Sequence, residues 1–355
     1  MTRRECCALV AGVVPGAGQT IDDEIRRQAA NPPLALAFRG GSAEQARTWQ
    51  HEFRARLDAS LGDYAPPRSW ETVRQRSYEF ADHRREELVL RASGFPDLPV
   101  HLLLPKQPGK RPAVLALHGH GPFGHDAVAG LDHTPARQKD IASARYDYGR
   151  ELARRGYVVA APCFTPFGER LGDRAAYGRE DPCAVTFVRL QLFGKVLMSE
   201  NLRDALWALE LLASCAEVDP ERLGCVGLSL GGRMTMLTSA VSPRVKVAVA
   251  SGALNVMQER VRARYSCGAQ VIPGLLRYGD VPEIASLIAP RPCLWEVGQR
   301  DGLMVKDWIE PSLARMKRAW AAFGAESELM VDSFDGGHRW NGEKAYPLLE
   351  KVLRP

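Results

Sequence analysis

Three side chains far apart in the chain are of the types that together make an alcohol nucleophilic: Ser229, Asp301 and His338. Ser229 stands in Gly227-Leu228-Ser229-Leu230-Gly231-Gly232, a Gly-x-Ser-x-Gly pattern between an apolar run, Leu223 to Gly227, and a helix-like stretch, Leu230 to Val241. A serine hydroxyl is a weak nucleophile, so a sharp turn must expose it while glycines on either side let strand and helix approach. The pattern alone is common, and a glycine-rich turn can also serve packing or cradle a phosphate. Neither Gly-x-Gly-x-x-Gly nor Gly-Lys-Ser/Thr is matched here, which argues against phosphate. Asp301 follows the apolar run Cys293 to Val297, in Gly298-Gln299-Arg300-Asp301-Gly302, and His338 follows Leu329 to Val331, in Gly336-Gly337-His338. Nucleophile, orienting carboxylate and base thus appear in a fixed order, each just past a strand-like run. Asp332 and Asp335 are rival acids, disfavoured because they lie so near His338 in sequence.

Acyl transfer also needs donors for the oxyanion. His118-Gly119-His120-Gly121 follows the apolar run ending at Leu117, and its glycines let the backbone turn inward. The expected donors are the backbone amides of Leu230 and His120, each typically worth about 3 kcal/mol at the transition state. His118, His120, His125, Asp126, Asp132 and His133 cluster in sequence, but no fixed ligand spacing supports a metal, and no cofactor is expected. Phe123, Phe164, Phe167 and Trp340 are candidate walls of a substrate pocket, although a large aromatic is more often core.

The elements that must position these residues follow from periodicity. Trp49, Phe53, Leu57 and Leu61 recur every four residues, as on an amphipathic helix over 43 to 61, which reads as an arm on the main body. Strand-like stretches run Glu87 to Arg91 and Val100 to Leu104. Ala113 to Leu117, Tyr157 to Ala161, Leu223 to Gly227, Val245 to Ala250 and Cys293 to Val297 are short, mostly apolar runs of the kind buried on both faces of a parallel sheet. Helical patterns separate them, at 200 to 213, Leu230 to Val241, Pro282 to Ile288, 309 to 323 and Ala345 to Leu353, with Leu329 to Val331 as a last strand. This alternation gives an α/β fold: one doubly covered, mostly parallel sheet of about eight strands with a helical N-terminal arm. Residues 19–85 form the arm and 86–355 the catalytic domain. Irregular stretches at 119–140, 162–195 and 252–280 are long enough to shape a site at the strands' carboxyl ends.

At 355 residues, 45% hydrophobic and 25% charged, the chain has the makings of a large core. A net charge of +5 with arginines dispersed among acids gives no nucleic-acid footprint. No apolar run is long enough to span a bilayer, so no integral membrane segment is expected. Residues 1–18, with Arg3-Arg4 before Ala8 to Val14, resemble a twin-arginine export signal; this places the mature protein in the periplasm or outside the cell, whereas a frayed, functionless terminus would leave it in the cytoplasm. Cys225 and Cys293 fall on buried strands, while Cys163, Cys183, Cys215 and Cys267 are free to pair or not.

His118-Gly119-His120-Gly121, the stretch Gly156 to Pro162 leading to Phe167-Gly168-Glu169-Arg170, the Gly227 to Gly232 turn, Ala289-Pro290-Arg291-Pro292 and Gly337-His338 together resemble the dienelactone hydrolase and acetyl xylan esterase-like branch of the α/β-hydrolases. The resemblance covers most of the chain from about residue 45. It implies the α/β-hydrolase fold, Ser229, Asp301 and His338 as catalytic triad, and the Leu230 and His120 amides as oxyanion hole. Dienelactone hydrolases proper use a cysteine nucleophile; serine here favours a carboxylic ester hydrolase, with a small-molecule or carbohydrate ester, such as a carbohydrate acetyl ester, as substrate. A serine peptidase of the prolyl-oligopeptidase kind and a catalytically silent binding protein on the same fold are the alternatives.

Overall fold

A computed structural model describes residues 20–263 and 267–354. The export-signal reading of residues 1–18 lies outside the described residues. Nine strands form one sheet: β1 (Glu71–Glu79), β2 (His83–Arg91), β3 (Leu98–Pro105), β4 (Arg111–Leu117), β5 (Val158–Pro162), β6 (Val218–Leu228), β7 (Val245–Ser251), β8 (Cys293–Gly298) and β9 (Leu329–Phe334), in the order β1-β2-β3-β5-β4-β6-β7-β8-β9. The first four in that order pair antiparallel, and all pairs from β5 onward are parallel.

The apolar runs become the central strands because both faces are covered. Ala113, Leu115 and Leu117 of β4 point into one core with Trp207, Met234 and Trp295, while Val114 and Ala116 point into the other with Tyr148, Trp340 and Leu349. Helices Ala43–Leu61, Leu197–Ser214, Leu230–Val241 and Ile309–Ala322 cover the first face, and Tyr148–Arg154 and Ala345–Leu353 the second. In helix Ala43–Leu61 the buried residues are Ala46, Trp49, Phe53, Leu57 and Leu61, the expected stripe with one alanine added, and Ser42 with Gln45 closes a capping box at its start.

One expectation needs correction. β1 lies inside the stretch assigned to the helical arm, yet it is the edge strand of the main sheet, so residue 85 divides β2 and marks no boundary. Its residues Glu71 to Glu79 are almost all exposed, so no face carries the apolar alternation by which a half-buried strand is recognised. β6 runs through Asp219-Pro220 with a register shift and needs no ladder N–H from proline there.

The helix Leu230–Val241 is fixed at both ends. Its C-terminal carbonyls accept from Arg54 (Val241, 3.1 Å) and from Arg291 (Ser239, 2.6 Å; Ser242, 2.9 Å), placing cations where the helix dipole is negative. At its N-terminus the backbone approaches the sheet so closely that a Cβ added to Gly231 would lie 1.9 Å from the Leu117 carbonyl oxygen, and one added to Gly227 would lie 2.4 Å from Gly231. A Gly231→Ala protein is therefore expected to lose at least about 3 kcal/mol of stability or to fail to accumulate in soluble form. Gly302→Ala, where a methyl group meets nothing within 4 Å, is the control and should unfold in urea within about 1 kcal/mol of the parent; equal behaviour of the two would show that the close approach is unimportant.

Candidate active site

Ser229 sits on the turn between β6 and its helix with φ 64° and ψ −120°, a left-handed backbone that a non-glycine residue adopts only under constraint. The constraint is the crossing just described, together with a Ser229 N–H bond to the Ser251 carbonyl at 2.8 Å. Asp301 and His338 come from the loops after β8 and β9. These loops pack backbone to backbone: a Cβ on Gly298 would sit 2.4 Å from the Gly337 carbonyl oxygen, and Arg300 N–H donates to Gly336 at 2.8 Å. The result is a hydrogen bond between His338 Nδ1 and Asp301 Oδ2 at 2.7 Å. The other carboxylate oxygen, Oδ1, accepts the Leu303 N–H at 2.8 Å. Asp301 is buried, and His338 lies against Gly252, with Cε1 2.8 Å from where a Cβ would stand. Its Nε2 is buried and makes no hydrogen bond among the described residues.

Ser229 and His338 line one cavity of about 210 Å³ with His120, Gly252, Ala253, Asn255, Arg260, Cys267, Gln270 and Leu303. The rival acids are engaged elsewhere: Asp335 pairs with Arg300 at the surface (2.6 Å) and Asp332 accepts from Asn341 Nδ2 (2.7 Å).

His118-Gly119-His120-Gly121 lies directly against the serine, since a Cβ on Gly119 would be 3.1 Å from Ser229 Cβ and 2.8 Å from the Leu228 carbonyl oxygen. His118 fixes the orientation of this loop. Its Nε2 accepts the Phe164 N–H at 2.8 Å, so the ring proton is on Nδ1, which donates to the Gly119 carbonyl at 2.8 Å. That carbonyl shares a trans peptide with the His120 N–H and points the opposite way, so anchoring one directs the other. Burial pushes the His118 imidazole down to about 4, which keeps it neutral as this arrangement requires.

The four aromatics expected as pocket walls do not line the cavity. Phe164 is fully buried against His118, and Trp340 stacks on Tyr148 at 4.9 Å in the second core. Phe123 lies beneath the Arg137 guanidinium (4.5 Å), and Phe167 packs edge-on behind His118 and His120. Phe164, Phe167 and Trp340 are buried, as large apolar side chains usually are, and Phe123 is half-buried. The histidine and acid cluster seen in sequence divides in space. His118 serves the backbone, Asp132 pairs with Arg150, and Asp126 joins His101 (2.7 Å), His125 and Arg137 at a separate place.

Residues that sequence reading passed over supply much of the site. Asn255, Arg260, Cys267 and Gln270 come from the irregular 252–280 stretch, where no periodicity ranks one polar residue above another. Glu296 did leave a signal, an acid inside the apolar run of β8. Fully buried, it accepts the N–H groups of Asn341 (3.0 Å) and Gly342 (2.7 Å) and so holds the chain just past His338. Burial raises its carboxyl above the usual range against the pull of those two donors.

The state of His118 has a consequence for stability. Between pH 6.5 and 4 the unfolded chain binds a proton at this residue that the folded chain refuses, so stability rises with pH across that window. Unfolding in urea should therefore show a contribution of about 3 kcal/mol lost between pH 7 and pH 4. In His118→Gln, whose amide can accept the Phe164 N–H without titrating, that part of the loss should vanish; an unchanged pH dependence would assign it to other groups.

Residues 100–264 match the dienelactone hydrolase family. A Bacillus subtilis (strain 168) protein described as "Putative hydrolase YtaP" is 29% identical over 295 residues, spanning 81% of this chain and 93% of that protein. Among solved structures, "a putative acetyl xylan esterase" of Bacteroides fragilis superposes with a TM-score of 0.80 at 18% identity, covering 96% of this chain and 97% of the other. A glucuronoyl esterase from Solibacter usitatus gives 0.65 at 15% identity, covering 92% and 98%. The nine-stranded sheet and its strand order agree with these likenesses: the chain has the α/β-hydrolase fold, and its residues 100–264 resemble the dienelactone hydrolase family.

Proposed function

We propose that the protein is a serine carboxylic ester hydrolase acting through an acyl-enzyme, with Ser229 as nucleophile, His338 as general base and acid, and Asp301 as the carboxylate that orients the imidazole. The observation that carries this reading is the 2.7 Å hydrogen bond between His338 and Asp301, made at the rim of the cavity that Ser229 also lines. With Nδ1 committed to Asp301, Nε2 is the ring atom left to take the Ser229 proton as Oγ attacks the ester carbonyl. The Leu230 and His120 amides stabilise the tetrahedral oxyanion, the second held in direction by His118. His338 then returns the proton to the leaving alcohol, and water repeats the sequence to release the acid.

The size and lining of the cavity favour a short acyl group on a polar alcohol. About 210 Å³ is below the usual range for drug-sized ligands, and His120, Asn255, Arg260 and Gln270 set hydrogen-bonding groups among its apolar lining. A carbohydrate acetyl ester fits both requirements. The likeness to proteins named acetyl xylan esterase and glucuronoyl esterase is consistent with it. Export from the cytoplasm, suggested by the N-terminal arginine pair, suits a polysaccharide-derived substrate. A peptidase of the prolyl-oligopeptidase kind is less well supported, because described residues 20–110 form two helices and three strands of the same sheet and not a propeller.

The test is steady-state hydrolysis of p-nitrophenyl esters of increasing chain length, together with fluorophosphonate labelling. Acetate should be the best substrate of the series. Ser229→Ala should abolish labelling and lower kcat by roughly 10⁴-fold or more, and Asp301→Asn should lower kcat by about 10⁴ while the fold persists. Acetylated sugars should outperform aromatic esters and uronic methyl esters in a screen of natural substrates. Undiminished hydrolysis by Ser229→Ala would sink the assignment; cleavage of proline anilides with little esterase activity would favour the peptidase.

A further inference from the structure

Two thiols and an imidazole not needed for the ester chemistry converge beside the cavity. His120 Nε2 lies 3.0 Å from Cys267 Sγ and 3.8 Å from Cys183 Sγ, and the three atoms all fall within 4.8 Å of one another. Cys183 is buried near the start of helix Pro182–Gln191, Cys267 precedes the turn Gly268–Gln270, and His120 belongs to the loop after β4. The arrangement is tightly built. A Cβ on Gly268 would be 2.6 Å from Phe187 Cβ and 2.9 Å from the Cys183 carbonyl oxygen, and the His120 ring packs edge-on against Phe167 at 5.1 Å. Cys267 Sγ also accepts the Ala269 N–H at 3.4 Å, a contact suited to a thiolate.

We infer that His120, Cys183 and Cys267 form a binding site for a single zinc ion. Two sulfurs and an imidazole nitrogen are the donors zinc prefers, and bond lengths of about 2.3 Å to sulfur and 2.0 Å to nitrogen in a tetrahedron put ligand atoms roughly 3.5–3.8 Å apart. The present spacings reach that geometry by small side-chain movements. Binding replaces the hydrogen bonds within the cluster and releases the thiol protons to solvent, with no change of oxidation state. Three protein ligands leave one tetrahedral position. Because His120 and Cys267 line the cavity that holds Ser229, this position is filled from the cavity side, by water or by a substrate oxygen. The ion would join three segments distant in sequence and hold the His120 loop against the helix Pro182–Gln191.

The site does not depend on the hydrolytic reading, and the experiment separates the two. Full-length protein purified under reducing conditions without chelator should contain close to one equivalent of zinc by plasma emission spectrometry. Cobalt(II) titrated into metal-stripped protein should give thiolate-to-cobalt charge-transfer and tetrahedral d–d bands saturating at one equivalent. Zinc content should fall below about a tenth in Cys183→Ser and in Cys267→Ser and persist in Cys215→Ser. In Ser229→Ala it should persist while ester hydrolysis is lost. If stripped wild-type protein gives no cobalt–thiolate absorption, or if a folded Cys183→Ser/Cys267→Ser double variant keeps its zinc, the site does not exist. A Cys183–Cys267 disulfide found by mass spectrometry in freshly isolated protein that takes up no metal after reduction would also overturn it.

Discussion

The approach of helix Leu230–Val241 to the ends of β4 and β6 is the constraint on which the rest of the site depends. Side chains are absent where the backbones meet, because Gly227, Gly231 and Gly119 each have main-chain atoms where a Cβ would stand. Serine at φ 64° is unfavourable by itself. It persists because the strand before it is locked between β4 and β7 and the helix after it is anchored at its far end by Arg54 and Arg291. The arm and the Ala289–Pro292 segment therefore act on the serine at a distance of a whole helix, through its rigidity rather than by contact.

A second constraint acts on the other side of the cavity. The loops after β8 and β9 can bring Asp301 to His338 only because Gly298 admits the Gly336 and Gly337 carbonyls, and because Glu296 gathers two N–H groups from the chain beyond His338. A buried carboxylate is costly unless hydrogen-bonded. Spending one on two backbone donors of a loop, where an apolar residue would pack more cheaply, makes sense if the loop's position matters more than the stability of β8. The exposed Arg300–Asp335 pair on the same loops contributes little by comparison.

The legible parts of this fold were those in which one physical signal was decisive. Five central strands announced themselves as apolar runs buried on both faces, and Ala43–Leu61 and Ala345–Leu353 by their period. Ser229, Asp301 and His338 stood out as candidates because each follows a strand-like run. β1 was missed since an edge strand exposed on both faces has no pattern to show, and the helix Pro182–Gln191 because its residues are mostly half-buried and its stripe is weak. The cavity lining was misread for a different reason. Aromatics were ranked by size, but the cavity takes its polar groups from Asn255, Arg260 and Gln270, whose convergence is a tertiary fact with no local correlate. The pairing of His120 with cysteines 63 and 147 residues away is equally silent in sequence.

His118 and His120 illustrate how much one short segment can be made to do. They stand two residues apart in the loop after β4, with Gly119 between them. The first is buried, neutral and engaged by both ring nitrogens with backbone; the second reaches the cavity and touches two thiols. Tyr146 adds a third restraint, donating its hydroxyl to the His120 carbonyl at 3.1 Å. The peptide that joins Gly119 to His120 is thus held through its own carbonyl, through the next carbonyl and through the side chain that follows. An amide meant to meet a charge that exists only in a transition state must already point the right way before the charge appears, since reorientation at that moment would cost much of what the hydrogen bond provides. In the proposed reading, this pinning from three sides gives the two histidines a common purpose: neither touches the reacting atoms through its ring, and both settle where one backbone N–H is aimed.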